Sequence, residues 1–299
     1  MDVESSSPAP LAHGAAAEPE SETGHGHGHV HVYGRGFGTV VARCEGEGTG
    51  RTVLSKVHAT SPLRFLRPTF PGSRAEAVCL LTFGGGLVDG DAIDVDLRVE
   101  AGATLVVFTQ ATTKAFRGSS RQTIRAEVHG TLVLLPDPVA CFAGSRYRQR
   151  VDITLHGDGS AVALDGFTSG RAAFGDRWAF ERLDLATTVH ARGRILVRDA
   201  LRLDAAEGSI PARLDRFEAF ATVLAVGPRV APVVASILAK SIATDDVVAA
   251  PSALPPSPLP SGAIVRIAAT SPTRALEEAR ARFRNLADID VVDPFASRR

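Results

Sequence analysis

Between Ile93 and Glu100 the chain reads Ile-Asp-Val-Asp-Leu-Arg-Val-Glu, apolar at 93, 95, 97 and 99 and polar at every position between. Strict period-two alternation of this kind predicts a β-strand with one buried and one wetted face. Ala101-Gly102 turns it back into a second strand over 104–109, and β-branched runs at 121–128, 148–155, 182–189 and 194–200 predict more. Glycine and Asp-Gly breaks at Gly130, at 157–159 and at Gly193 supply the turns. From about Arg35 to Leu203 the pattern is almost wholly strand. Helical period appears only later. Over 228–240, Val230, Val233, Val234, Ile237 and Leu238 share one face behind Pro228, a residue suited to a first helical turn. Over 272–287, Leu276, Ala279, Phe283 and Leu286 form a second stripe. Residues 250–262 read as an exposed Pro/Ser-rich insertion, followed by a short strand at 263–268. The expectation is a mainly β fold with two helices toward the C-terminus.

Composition narrows the function class. The 299 residues carry 33 basic and 33 acidic side chains, without the basic excess of a nucleic-acid protein. No apolar run reaches the roughly 18 residues that span a bilayer, and the N-terminus lacks the features of a secretory signal. Three dispersed cysteines, Cys44, Cys79 and Cys141, fit a reducing compartment, so a cytoplasmic protein is expected. Residues 1–32 stand apart as a disordered leader that is acidic and then histidine-rich, with 33–299 as one domain. His25, His27, His29 and His31 can bind Ni²⁺, Zn²⁺ or Cu²⁺ loosely, or serve only as a polar leader.

Several segments invite a chemical reading. Gly84, Gly85, Gly86, Gly90 and Asp91 lie in GGGLVDGD, which lacks the Gly-Lys-Ser/Thr of a phosphate loop and the spacing of a calcium loop. Tight backbone approach is the simpler account. Residues 109–126 carry Lys114, Arg117, Arg121 and Arg125 with no acid. They suit either an anionic partner (phosphate, RNA or an acidic protein surface) or an ordinary exposed hairpin. Pro136 and Pro138 bracket Asp137 in a bend ahead of Cys141, where the thiol reads as packing. Ser169, Gly170 and Arg171 precede the single tryptophan, Trp178, without a nucleophile elbow.

Taken in order, LTFGGGLVDGDAIDVDLRVEAGA, TQATTKAFRG, LPDPVACFAGSRYRQ and TSGR with Trp178 resemble the urease accessory protein UreD (UreH) family, in its eukaryote-like branch. The resemblance spans about 53–203. It implies a β-helical or solenoid-like body and a chaperone rather than an enzyme. The implied partners are apo-urease, a UreF-type accessory protein and, indirectly, a UreG-type GTPase, with no nucleic acid and no membrane. It implies no intrinsic cofactor, only nickel in transit. The matching positions are Gly84, Gly85, Gly86, Gly90 and Asp91; Thr109, Gln110, Lys114, Phe116 and Arg117; Leu135, Pro136, Pro138 and Phe142; and Ser169, Gly170, Arg171 and Trp178. Phe116 keeps the ring of the family's usual tyrosine without its hydroxyl. Nickel in transit needs exchangeable oxygen or imidazole contacts rather than thiolates, which makes Asp137, Asp165 and Asp176 candidates beside the histidine tract. Two other readings stand beside this one. A carbohydrate-active enzyme on a β-solenoid would use Asp94 and Asp96, and a His-rich metal buffer would use the leader.

Overall fold

A computed structural model describes residues 34–46, 50–254 and 260–295. The leader and the tract His25, His27, His29 and His31 lie outside the described residues.

Two open sheets hold the eighteen strands of the described residues. The outer sheet runs, in spatial order, Arg194–Asp204, Arg182–Ala191, Ser145–Leu155, Gly118–Val128, Ala92–Val99, Arg35–Glu45 and Arg51–Ala59. The second runs Ile242–Ala243, Val247–Ala253, Gly262–Ala269, Ala219–Val226, Ser160–Thr168, Thr131–Leu135, Thr104–Thr109, Glu76–Thr82 and Leu63–Leu66. Two short strands, Val139–Cys141 and Lys114–Ala115, join it off this path. Apart from those two short strands, the chain crosses between sheets at each step from Glu76 to Ala191, and successive visits to a sheet pair in parallel, as Thr104 with Thr131 and Thr131 with Ser160. The mainly β expectation therefore holds. Each sheet ends in an edge strand and neither closes on itself.

The layers explain the strand patterns. In the outer sheet Val95, Leu97, Ile124, Val128, Val151, Ile153 and Leu185 point inward and form one core with Leu105, Val107, Leu132 and Leu134 of the second sheet. Its other face meets water, hence the alternation at 93–100. The second sheet is covered on both faces: Val106, Val133, Val162 and Val223 pack away from that core, against the helices. Thr131–Leu135 is accordingly buried at all five positions and reads as a continuous apolar run. Each large aliphatic side chain so enclosed contributes roughly 1.5–3 kcal/mol.

Both expected helices form, with shifted bounds. The first is a 3-10 turn, Pro228–Val230, followed by the α-helix Ala231–Leu238. Pro232 has no N–H to reach the carbonyl of Pro228, so α-helical bonding begins only beyond it. Val233 and Ile237 are buried, whereas Leu238 is exposed. The second helix is Pro272–Arg282, capped by Ser271, whose hydroxyl accepts the Arg274 N–H. Its continuation, Arg284–Ile289, is a 3-10 stretch. A five-residue helix, Ile210–Leu214, escaped the sequence reading because it is too short to display a period. The Pro/Ser-rich insertion is corrected in part. Residues 250–253 belong to the strand Val247–Ala253, where Pro251 opposes Val265. The outer edge is unpaired beyond Ala249, so the N–H that proline lacks is not missed. Residues 255–259 of that segment lie outside the described residues.

Candidate functional site

The four sequence motifs occupy one edge of the fold. Loops 83–91, 110–117, 136–144 and 169–181 each carry the chain from the second sheet to the outer sheet. Segments far apart in sequence thereby stack as neighbours.

In the first loop Phe83–Gly85 makes a single 3-10 turn with Gly84 at φ 82° and Gly85 at φ 72°. Gly86 is buried against the second loop, where a Cβ would lie 2.5 Å from the Lys114 carbonyl oxygen and 2.7 Å from the Phe116 ring. Leu87 N–H donates to that carbonyl (2.7 Å) and Phe116 N–H donates to the Leu87 carbonyl (2.8 Å). Gly90 N–H reaches the Ser119 carbonyl at 2.7 Å. The buried Asp91 carboxylate accepts from Val88 N–H (2.9 Å) and Gly34 N–H (3.0 Å), tying the loop to the start of the first strand.

The second and third loops meet through Ala140 N–H to the Thr113 carbonyl and Phe142 N–H to the Ala115 carbonyl. The Phe116 and Phe142 rings meet edge to face at 5.2 Å, so this position is served by a ring without a hydroxyl. Thr109 Oγ1 donates to Asp137 Oδ2 at 2.9 Å and accepts the Asp137 N–H at 2.8 Å. Pro138 is buried and Pro136 half-buried beside this pair. Val139 and Ala140 pair with Phe167 and Thr168 and so bring the fourth loop alongside. There the Arg171 guanidinium sits 4.5 Å over the Phe142 ring and binds Asp176. Gly170 has φ 87° and no room for a Cβ beside the Cys141 carbonyl oxygen. Ser169 is buried, and its carbonyl accepts the Trp178 N–H at 2.8 Å. Trp178 takes a positive φ of 54° and donates its Nε1–H to the Phe217 carbonyl at 3.2 Å. Gln110, Lys114 and Arg117 remain exposed at the rim.

A buried polar line runs between the sheets, and only Asp165 of it was singled out from sequence. The Tyr147 hydroxyl donates to Gln149 Oε1 (3.0 Å), Gln149 Nε2 donates to Asp165 Oδ1 (2.8 Å), and Thr187 Oγ1 donates to Asp165 Oδ2 (3.1 Å). Gln122 Oε1 lies 3.5 Å from the Tyr147 hydroxyl. Burial pushes the Asp165 carboxyl up to about 6 despite these donors, and pushes the Tyr147 phenol well above its usual range. It also drives the Cys141 thiol up to about 12, which keeps it protonated at neutral pH. A small cavity of about 50 Å³ beside Asp165 is also lined by Asp199 and Thr222. The missed residues did leave a signal. Gln122 is in phase with Ile124, Ala126 and Val128, and Gln149 with Val151 and Ile153, so each is a polar residue at an inward position.

The three candidate acids do not come together. Asp137 is engaged by Thr109, Asp176 by Arg171, and Asp165 by the interior line. Among the described residues no three His, Cys, Asp or Glu side chains are gathered to hold a metal ion. Asp94 and Asp96 lie on the wetted face. Arg121 grips Asp94 through two bonds of 3.0 Å, holding its carboxyl below the usual range, and Arg125 reaches Asp96 at 3.5 Å.

The arrangement is that of a layered β scaffold, with its motif residues committed to stacking loops along one edge. The chain matches the UreD urease accessory protein family over residues 35–293. It is 44% identical over 254 residues to the urease accessory protein UreD of Sorangium cellulosum, covering 83% of this chain and 80% of that protein. It is 35% identical to UreD of an Anaeromyxobacter species, over 83% of this chain and 89% of the relative. Against urease accessory protein D of Arabidopsis thaliana it is 33% identical, over 64% and 67% of the two chains. The chain belongs to the UreD urease accessory protein family.

Proposed function

We propose that this chain is a urease maturation chaperone, a non-catalytic scaffold that binds apo-urease and, with UreF- and UreG-type partners, delivers nickel to the urease site in the cytoplasm. The observation that carries the reading is the family match over nearly all of the described body, since it takes in all four loops of the motif edge. The strands crossing between two sheets in parallel steps support a solenoid-like description of that body. No helix among the described residues is long and apolar enough to cross a membrane.

Nickel is cargo on this reading, and the interior polar line is the route we assign to it. Oxygen ligands on Tyr147, Gln149, Asp165 and Thr187 are hard and few, so they exchange an ion that a thiolate cage would retain. With its carboxyl near 6, Asp165 can lose and regain a proton close to neutrality as a cation arrives and leaves. Asp176 is a weaker candidate, because Arg171 already neutralises it. The histidine tract would act upstream as a loading element. The test is co-expression with urease and its other accessory proteins, with activity measured against nickel supply. Omitting this chain should abolish activation, and full activation without it would end the reading. Asp165→Asn should lower activation at limiting nickel by about tenfold while complex formation persists. Deleting residues 1–32 should lower it only at limiting nickel.

A further inference from the structure

The wetted face of the outer sheet carries a row of arginines that the interior line and the motif edge leave unexplained. Across neighbouring strands Arg35 pairs with Ala92, Ala92 with Arg121, Arg121 with Arg148, and Arg148 with Asp184. Placing Arg121 and Arg148 directly opposite one another is unfavourable unless anions intervene. Most charges in the row are already answered. Arg121 is held by Asp94, Asp184 by Arg182 at 2.7 Å, and the neighbouring Arg146 by Glu181 at 2.5 Å. Asp91 spends its carboxylate on two backbone N–H groups. Arg35 and Arg148 are exposed, and among the described residues neither has a hydrogen-bonding or acidic partner. They line a single cleft of about 380 Å³ whose other charged walls are Arg121, Arg146 and Arg182 and the two carboxylates already engaged, Asp91 and Asp184, leaving five arginines against two acids.

We propose that this cleft binds an extended acidic segment of a partner protein, with Arg35 and Arg148 each taking a carboxylate. Guanidinium groups match carboxylates through paired N–H donors, and of the two residues between Arg35 and Arg148 in the row Ala92 is small and Arg121 is bound to Asp94. Arg35 and Arg148 stand three strand spacings apart, about 14 Å. Acidic residues at i and i+4 of an extended segment lie about 13 Å apart on one side, which fits that span. RNA fits less well. The one aromatic lining residue, Tyr147, is 1% exposed and offers no stacking face, and the whole chain carries no net charge. The binding is a property of the full chain alone and does not lean on the maturation role.

The probe is a fluorescently labelled nonapeptide of alternating Glu and Ser, with a Gln/Ser peptide and a single-stranded RNA nonamer as comparators. Binding to the full-length chain is followed by anisotropy at low and high salt. The acidic peptide should bind, weaken with salt and be favoured over both comparators. Arg35→Glu with Arg148→Glu should weaken it by about tenfold or more, whereas Arg198→Glu, elsewhere on the same face, should change it by less than about twofold. Arg148→Gln, with thermal melting compared to the parent, gives the same reading if the double reversal does not fold. Undiminished binding by the cleft variants, equal loss in Arg198→Glu, or preferred binding of the RNA would overturn the proposal.

Discussion

The body turns differently at its two edges. At one edge the outer sheet hands the chain to the second sheet through the short turns 100–103, 129–130 and 156–159. There the backbone itself is crowded: a Cβ on Gly130 would lie 2.2 Å from the Ala103 carbonyl oxygen, and one on Gly159 would lie 2.1 Å from that of Val128. Side chains enter little, apart from the His129 and His156 rings stacked at 4.5 Å and the contact of His156 with Glu127. The opposite edge uses loops 83–91, 110–117, 136–144 and 169–181, held by rings, carboxylates and cross-loop hydrogen bonds. One edge is shaped chiefly by steric exclusion, the other by specific pairing added to close approach at Gly86 and Gly170. Only the second can present varied chemistry, and the recognisable motifs are found there.

The sharpest test of this contrast is Gly130→Ala. Its neighbours are backbone oxygens that cannot rotate away, so a loss of about 3–4 kcal/mol is expected in denaturant unfolding. A cost below about 1 kcal/mol would mean that the tight edge can yield. Next is Asp165, on the strand Ser160–Thr168 that links the two edges. Its carboxyl is raised, so from the ordinary carboxylate value to about 6 the folded protein holds a proton that the unfolded chain releases. Stability therefore falls as pH rises through that window, and above it the ionised group costs about 3 kcal/mol. Asp165→Asn should raise the melting temperature at pH 7.5 and flatten its dependence between pH 4 and 6; an unchanged pH profile would refute the assignment. Third, Asp91→Ala removes the acceptor of two backbone N–H groups and should cost about 2 kcal/mol, with faster amide exchange at Val88. Smallest is Gly84→Ala. Nothing lies within 4 Å of a Cβ there, so only the positive φ resists, at about 1 kcal/mol. Equal losses for Gly84→Ala and Gly130→Ala would erase the distinction between the edges.

Much of the fold was legible because burial writes a period into the chain. The alternation over 93–100 marks a strand wetted on one face, and the stripe of Val233 and Ile237 marks a helix packed on a sheet. The motif glycines and prolines were equally visible as points of constrained backbone. Their mutual contacts were not. Gly86 against Lys114, Phe116 against Phe142, and Arg171 over Phe142 each join residues from different loops. No local period encodes which loops meet, because that follows from strand register. The pairing of Asp94 with Arg121 was hidden for the same reason, which is why Arg121 and Arg125 could be read as open to an anionic partner. Pro251 was misjudged because an unpaired outer edge, not composition, decides whether a proline can sit in a strand.

By itself, the sequence determined the mainly β class, the place of the two helices, the four constrained loops and the kinship those loops carry. Each of these depends on residues close together in the chain, through side-chain period or backbone permission. Tertiary structure alone decided that the four loops share one edge, that Gln122, Tyr147, Gln149 and Asp165 form one buried line, and that Arg35 and Arg148 lack partners among the described residues. Those outcomes depend on register between strands distant in sequence, where a shift of one residue would turn every side chain to the opposite face.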